Sequence, residues 1–161
     1  MKKSLKNLIE LLKFDFVNDS ITKENFPDDG RRGKVEIIDF EKKITSEEAI
    51  KEMDLKEYRP ATAYELLIWA KDDWNGKDWI MALGSQWRRP DGDLDVLCLW
   101  GNAGRRELGL YWVDRGWDGR YRFAFVRKSL ESLKTGELGN LESRISAIEE
   151  FKAKVENVLK I

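Results

Sequence analysis

An α+β fold is what this sequence predicts: two helices and a short-stranded antiparallel sheet, with an amphipathic helix at either end. Three patterns carry that expectation. Twice in the first half a threonine is followed three residues later by glutamate and then by apolar residues at helical spacing. From Trp79 to Val126 short apolar alternations are separated by Gly-, Asp- and Asn-rich turns, roughly every dozen residues. Both ends place apolar residues at three-four spacing among charged ones. At 161 residues the chain fits one ordinary domain, long enough to bury a core without metal or disulfide support.

The N-terminal residues 3–14 read as a short helix, with Leu5, Leu8, Ile9 and Leu12 on one side and lysines between them. Asn18-Asp19-Ser20 and Asn25-Phe26-Pro27-Asp28-Asp29-Gly30 are turn chemistry, expected to form a mobile connector. Val35 to Phe40 suits a strand. Thr45 then caps a helix, Glu48 completes a capping box, and Ala49, Ile50 and Met53 turn inward. The signal recurs at Thr62 and Glu65, ahead of Leu66, Leu67, Trp69 and Ala70. Pro60 favours an extended approach, so the second helix is expected over 62–73, ending near Asn75-Gly76.

Strands are expected around 79–83, 94–100, 107–112 and 123–126, joined as an antiparallel meander. Lys128 to Asn140 reads as a polar connector. Leu141 to Ile161 reads as a long amphipathic helix, with Ile148, Phe151, Val155 and Val158 on one face. About three heptads are marginal for an independent coiled coil. Packing on the N-terminal helix or the domain is therefore favoured over pairing with a second copy through 141–161, which would make a homo-oligomer. The chain divides accordingly into 1–43, 44–128 and 129–161.

Composition excludes several functions. A net charge of -1 with 37% charged residues describes a mixed-sign, solvated surface and argues against a dedicated polyanion binder. Without histidine there is no Ser-His-Asp or Cys-His machinery and no imidazole metal site. Cys98 alone forms no internal disulfide, redox pair or zinc knuckle, and in an apolar strand it reads as a core residue. Asn7, Glu10, Lys13 and Asp15 interrupt the stretch after Met1-Lys2-Lys3, so a cytoplasmic protein is expected, with a phage virion as the alternative. No run approaches about 18 apolar residues, so no membrane span is expected. Nothing calls for a cofactor. The seven tryptophans all fall between Trp69 and Trp117.

Three stretches are candidates for chemistry. Asp91, Asp93 and Asp95 alternate beside a turn, but calcium prefers a longer loop with six to eight oxygens; a solvated hairpin tip is the expectation. Gly101-Asn102-Ala103-Gly104-Arg105-Arg106 lacks the Lys-Ser/Thr of a P-loop and sits between strands, so it reads as a turn. From Gly84 to Lys128, nine Lys/Arg stand against six acids, with Trp87, Trp100, Tyr111, Trp112, Trp117 and Tyr121 among them. Arginine with stacking rings binds single-stranded nucleic acid. The acids in the same loops repel phosphate, however, and Tyr, Trp and Arg mixed with Asp and Gly is closer to a protein-binding paratope.

The segment Ile44-Thr45-Ser46-Glu47-Glu48-Ala49, followed by Glu57-Tyr58-Arg59-Pro60-Ala61-Thr62-Ala63-Tyr64-Glu65, resembles the formylglycine-generating-enzyme-like branch of the C-type lectin fold. Tyr121-Arg122-Phe123-Ala124-Phe125-Val126-Arg127 is similar to that fold's closing strand. Arg106 to Trp112 and Trp117 to Phe123 look like the variable region of diversity-generating-retroelement target proteins, ligand-display modules on the same fold. The resemblance covers residues 44–128. It implies that Arg106, Leu108, Leu110, Trp117, Phe123 and Val126 are scaffold. It implies a display surface of Glu107, Tyr111, Asp114, Arg115, Asp118, Arg120 and Tyr121, and Asn102, Arg105 and Trp112 on the adjoining strands and loops complete the expected contact set. The single cysteine blocks transfer of the enzyme branch's oxidase activity. The sugar-binding calcium motifs of the lectins are absent too, only Trp74-Asn75-Gly76 standing where such a motif would fall.

The expectation is therefore a non-enzymatic binding module for a protein or cell-surface ligand. On this reading Tyr111→Ala or Arg120→Ala leaves folding intact and abolishes capture. A nucleic-acid-associated protein and an assembly subunit are the alternatives.

Overall fold

The computed structural model describes the backbone of residues 3–159 and the side chains of 3–129 and 144–158. Among them four helices and seven strands form a mixed α+β structure. A compact unit spans Met1–Arg127, and Lys128–Ile161 forms a second unit.

The helix starts follow local capping chemistry. In α1 (Leu5–Leu12) the Ser4 hydroxyl accepts the Asn7 N–H, and Leu5, Leu8 and Leu12 are buried. In α2 (Ser46–Asp54) Thr45 caps as expected, but its hydroxyl donates to Glu48, so the reciprocal bond to the backbone is not made. In α3 (Ala63–Asp73) the box is complete: Thr62 Oγ1 accepts the Glu65 N–H and Glu65 accepts the Thr62 N–H.

The strands are β1 (Phe16–Val17), β2 (Val35–Ile38), β3 (Tyr58–Pro60), β4 (Trp79–Arg88), β5 (Leu94–Asn102), β6 (Arg105–Trp112) and β7 (Tyr121–Arg127). They form one open sheet ordered β1-β6-β5-β4-β7-β2, with β3 also pairing β7. Only β4-β5-β6 is the expected antiparallel meander. β7 returns past it to pair parallel with β4, and β1 pairs parallel with β6. Alternation along the strands puts Ile80, Leu97, Leu99, Leu108 and Val126 into a core with α1 and α3. Met81, Val96, Cys98, Phe123 and Phe125 lie on the other face, in a core with α2 and Trp117.

The N-terminal 43 residues are integral to this unit, not an appendage. β1 extends the sheet, and Ile21 and Phe26 are buried within the expected connector. Its turns are fixed by Ser20 N–H to Asn18 and Asn25 Nδ2–H to the Ser20 carbonyl. Two glycines allow the backbone to close up. A Cβ on Gly101 would lie 1.7 Å from the Gly76 carbonyl oxygen, and one on Gly84 2.5 Å from that of Ala61.

In the second unit, α4 (Leu130–Leu159) starts well before the expected helix and replaces the expected connector over 130–140. Its described apolar side chains Ile145, Ile148, Phe151, Val155 and Val158 are exposed. No helix among the described residues is long and apolar enough to cross a membrane.

Candidate ligand-binding face

The sheet face that carries Cys98 ends in a cluster of aromatic rings. Trp117 anchors it, fully buried on the segment between β6 and β7. Ile44 and Trp117 exchange backbone hydrogen bonds, and the Trp117 indole N–H donates to Ser46 Oγ at 2.8 Å. Ser46 Oγ in turn donates to the Val113 carbonyl, which ties the loop at both ends. Tyr121 stacks edge-on to Trp117 at 5.0 Å between centroids, and Tyr111 lies 6.3 Å from Trp117 and 6.0 Å from Tyr121. Trp79 continues the cluster outward, 5.4 Å from Tyr121 and 5.6 Å from Trp100. These separations are within the range of favourable ring pairs.

Arginines lie over these rings. The Arg115 guanidinium is 5.1 Å from the centroid of Tyr111, 5.2 Å from Tyr121 and 5.5 Å from Trp117. Arg120 lies 5.9 Å from Trp79 and 6.0 Å from Tyr121. Arg105, Arg120 and Arg122 nearby are paired with carboxylates. Arg105 pairs with Glu107 at 2.7 Å and Arg120 with Asp118 at 2.8 Å, while Arg122 bonds Asp78 and faces Asp39 at 3.7 Å. Hydrogen bonds from Arg120 hold the Asp118 carboxyl down at about 2. Among the described residues Arg115 has no carboxylate within ion-pair distance; its charge is met by the rings.

The expected display residues therefore only partly converge. Strand alternation puts Asn102, Arg105, Glu107 and Tyr111 on one face, and the loop adds Arg115, Asp118 and Arg120. Glu107 and Tyr121 are not display positions: both are buried, Glu107 in its ion pair and Tyr121 among Trp79, Tyr111 and Trp117. Tyr111 is half-buried in the same cluster. Trp112, opposite in parity to Tyr111, emerges on the other face of the sheet. Asp114 lines a separate groove of about 400 Å³ with Thr45 and Gln86. The positions expected as scaffold include the buried Leu108, Trp117, Phe123 and Val126, with Arg106 and Leu110 partly buried.

Trp79 and Trp100 belong to the face although the sequence pattern alone did not place them there. Trp100 shares parity with Cys98, and that alternation was the available signal. Cys98 is fully buried, and burial pushes its thiol far above the usual range. Among the described residues no three His, Cys, Asp or Glu side chains are grouped to hold a metal ion. A second groove, of about 660 Å³, opens beside α1, with apolar walls including Leu5, Ile9 and Ile21 and a rim of mixed charge.

Comparison with known proteins returned no matching family model, no matching curated protein and no matching solved structure.

Proposed function

We propose that the chain is a non-enzymatic ligand-binding module of C-type-lectin-like fold, and that the arginine-aromatic face of β5, β6 and the 113–120 loop is its contact surface. The observation that carries this reading is Arg115, held against three rings without a carboxylate. A guanidinium stacked in this way keeps its N–H edges free for a ligand while its position is already fixed. Half-buried Tyr and Trp around it supply contact area at small entropic cost. The fold assignment rests on the two capped helices and the closing strand 121–127, in the order of the resembling family. The ligand class is a protein or cell-surface molecule, because the paired acids Glu107, Asp118 and Asp78 oppose a phosphate backbone.

The test uses arrays of bacterial surface proteins and glycans, with single-stranded DNA as a further probe. Arg115→Ala and Arg120→Ala are compared with the wild type by circular dichroism and by binding. Arg120 is exposed, so its variant should keep the wild-type midpoint and lose capture. Tyr111→Ala is a different matter. Its ring neighbours three others and carries the Arg115 guanidinium, so the variant should lose about 2–3 kcal/mol of stability, contrary to the expectation from sequence. Equal capture by wild type and both arginine variants would sink the assignment of this face. Single-stranded DNA binding that falls steeply with salt would replace it with the nucleic-acid reading.

A further inference from the structure

On the opposite face of the sheet, the hairpin end of β4, β5 and β6 holds a buried carboxylate. Asp95 was expected to be solvated beside Asp91 and Asp93. Instead its side chain is 7% exposed, and its Oδ1 has no hydrogen-bond partner. Its Oδ2 faces Arg89 Nη1 at 3.7 Å, beyond hydrogen-bond reach, while Arg89 Nη2 is engaged by Asp91. The register places Asp95 directly between two tryptophans, Trp87 on β4 and Trp112 on β6. Cross-strand neighbours of this kind have Cβ atoms roughly 4.5–5.5 Å apart. Trp87 is backed by the buried Phe26, with centroids 6.4 Å apart, and forms a fixed wall. Trp112 is 46% exposed and forms the open one.

We infer that Trp87, Asp95 and Trp112 form a binding site for a guanidinium group supplied from outside this unit. The three residues have complementary roles. A carboxylate oxygen buried without a donor, as Oδ1 is, is costly unless an N–H-bearing cation completes it. Indoles on both flanking strands offer π-systems to a cation, and a planar guanidinium suits them best. A quaternary ammonium would satisfy the rings but leave Oδ1 without a donor. Local charge agrees, since residues 88–95 carry Asp91, Asp93 and Asp95 against Arg88 and Arg89. Desolvation already pushes the Asp95 carboxyl upward, with Arg89 opposing too weakly to reverse it. Arg89 is thus a loosely held internal stand-in, on the exposed hairpin tip, that the incoming group displaces. The site lies on the face away from Arg115 and does not depend on the function proposed above.

The experiment is titration of the full chain, followed by indole N–H signals in ¹H–¹⁵N spectra, with Trp87 and Trp112 assigned through Phe variants. Methylguanidinium is the free probe, and a capped peptide with a single arginine is the protein-derived one. The same peptide with citrulline is the neutral control. Saturable shifts of both indoles by the arginine peptide, absent with citrulline, are expected. Binding by methylguanidinium as well would make a small guanidine the sufficient ligand, whereas binding by the peptide alone would assign the site to a protein partner. Asp95→Asn and Trp112→Ala should each weaken binding about tenfold or more, the loss of a charge-assisted bond or a stacking wall. Arg89→Ala, which removes the internal competitor, should tighten it several-fold. No indole shift with either guanidinium probe, equal shifts with citrulline, or unchanged affinity in Arg89→Ala would each overturn the site.

Discussion

At the scale of single residues, the ion pair that steadies the fold is Glu65 with Arg59. The Glu65 side chain is fully buried, and burial alone would raise its pKa. Two bonds from Arg59, at 2.7 and 2.8 Å, and backbone N–H donors from Thr62 and Gly33 outweigh that and lower it. Unfolded Glu65 takes up a proton at about pH 4.3, and the folded carboxylate only at lower pH. Its contribution to stability is therefore complete above the unfolded value and is lost as pH falls through the folded one. Glu65→Gln should cost about 3 kcal/mol at pH 7, the low end for breaking a buried pair because Arg59 keeps some solvent contact. The gap to wild type in urea midpoints should shrink toward pH 3. A difference that stays constant with pH would show that geometry, not charge, holds this corner.

At the scale of elements, what was legible was local. N-cap chemistry lies within four residues, so Thr45 and Thr62 marked their helices to within a residue. Alternation carries which side chains share a face, and by parity it divides Tyr111 from Trp112, although both were expected on the display surface. It did not show which strands are partners. β1 and β3, two and three residues long, have no periodicity to read, and their pairing with β6 and β7 is set by distant packing. The same limit hid the burial of Glu107, which lies opposite Trp100 on β5, and of Tyr121, which packs against Trp79 from β4. Asp95 falls under the same limit, because its solvation is removed by neighbours on two other strands. One contact of this non-local kind is open to a sharp test. Gly101 meets the Gly76 carbonyl backbone to backbone, so neither side has a flexible atom to move. Gly101→Ala should lose more than about 4 kcal/mol, the range of severe core lesions. Gly119→Ala, where an added Cβ meets nothing within 4 Å, should leave the denaturation midpoint in place. Similar midpoints for the two variants would mean that the β5–β6 end is looser than this packing requires.

At the scale of the whole molecule, the two ends of the chain have opposite standing. Leu5, Leu8 and Leu12 are each at most 3% exposed and share one core with Leu66, Leu67, Leu97 and Leu108. Burying three such side chains contributes about 5–9 kcal/mol, comparable with the entire stability of an ordinary domain. β1 also covers the β6 edge, with the Asp15 N–H donating to the Arg106 carbonyl and the Arg106 N–H to the Asp15 carboxylate, both at 2.7 Å. Removal of residues 1–17 should therefore abolish cooperative unfolding and expose the sheet edge to aggregation. Residues 128–161 form a unit of their own, and the described side chains of α4 from 144 to 158 are all exposed. A chain ending at Arg127 should keep a single cooperative transition, with stability within about 0.5 kcal/mol of the full chain at low concentration. Its midpoint should also be independent of protein concentration. If the full chain instead gains stability as concentration rises and the shortened chain does not, the apolar stripe from Ile145 to Val158 is covered by a second copy, since only association couples stability to concentration. If both are independent of concentration and equally stable, α4 adds nothing to the fold.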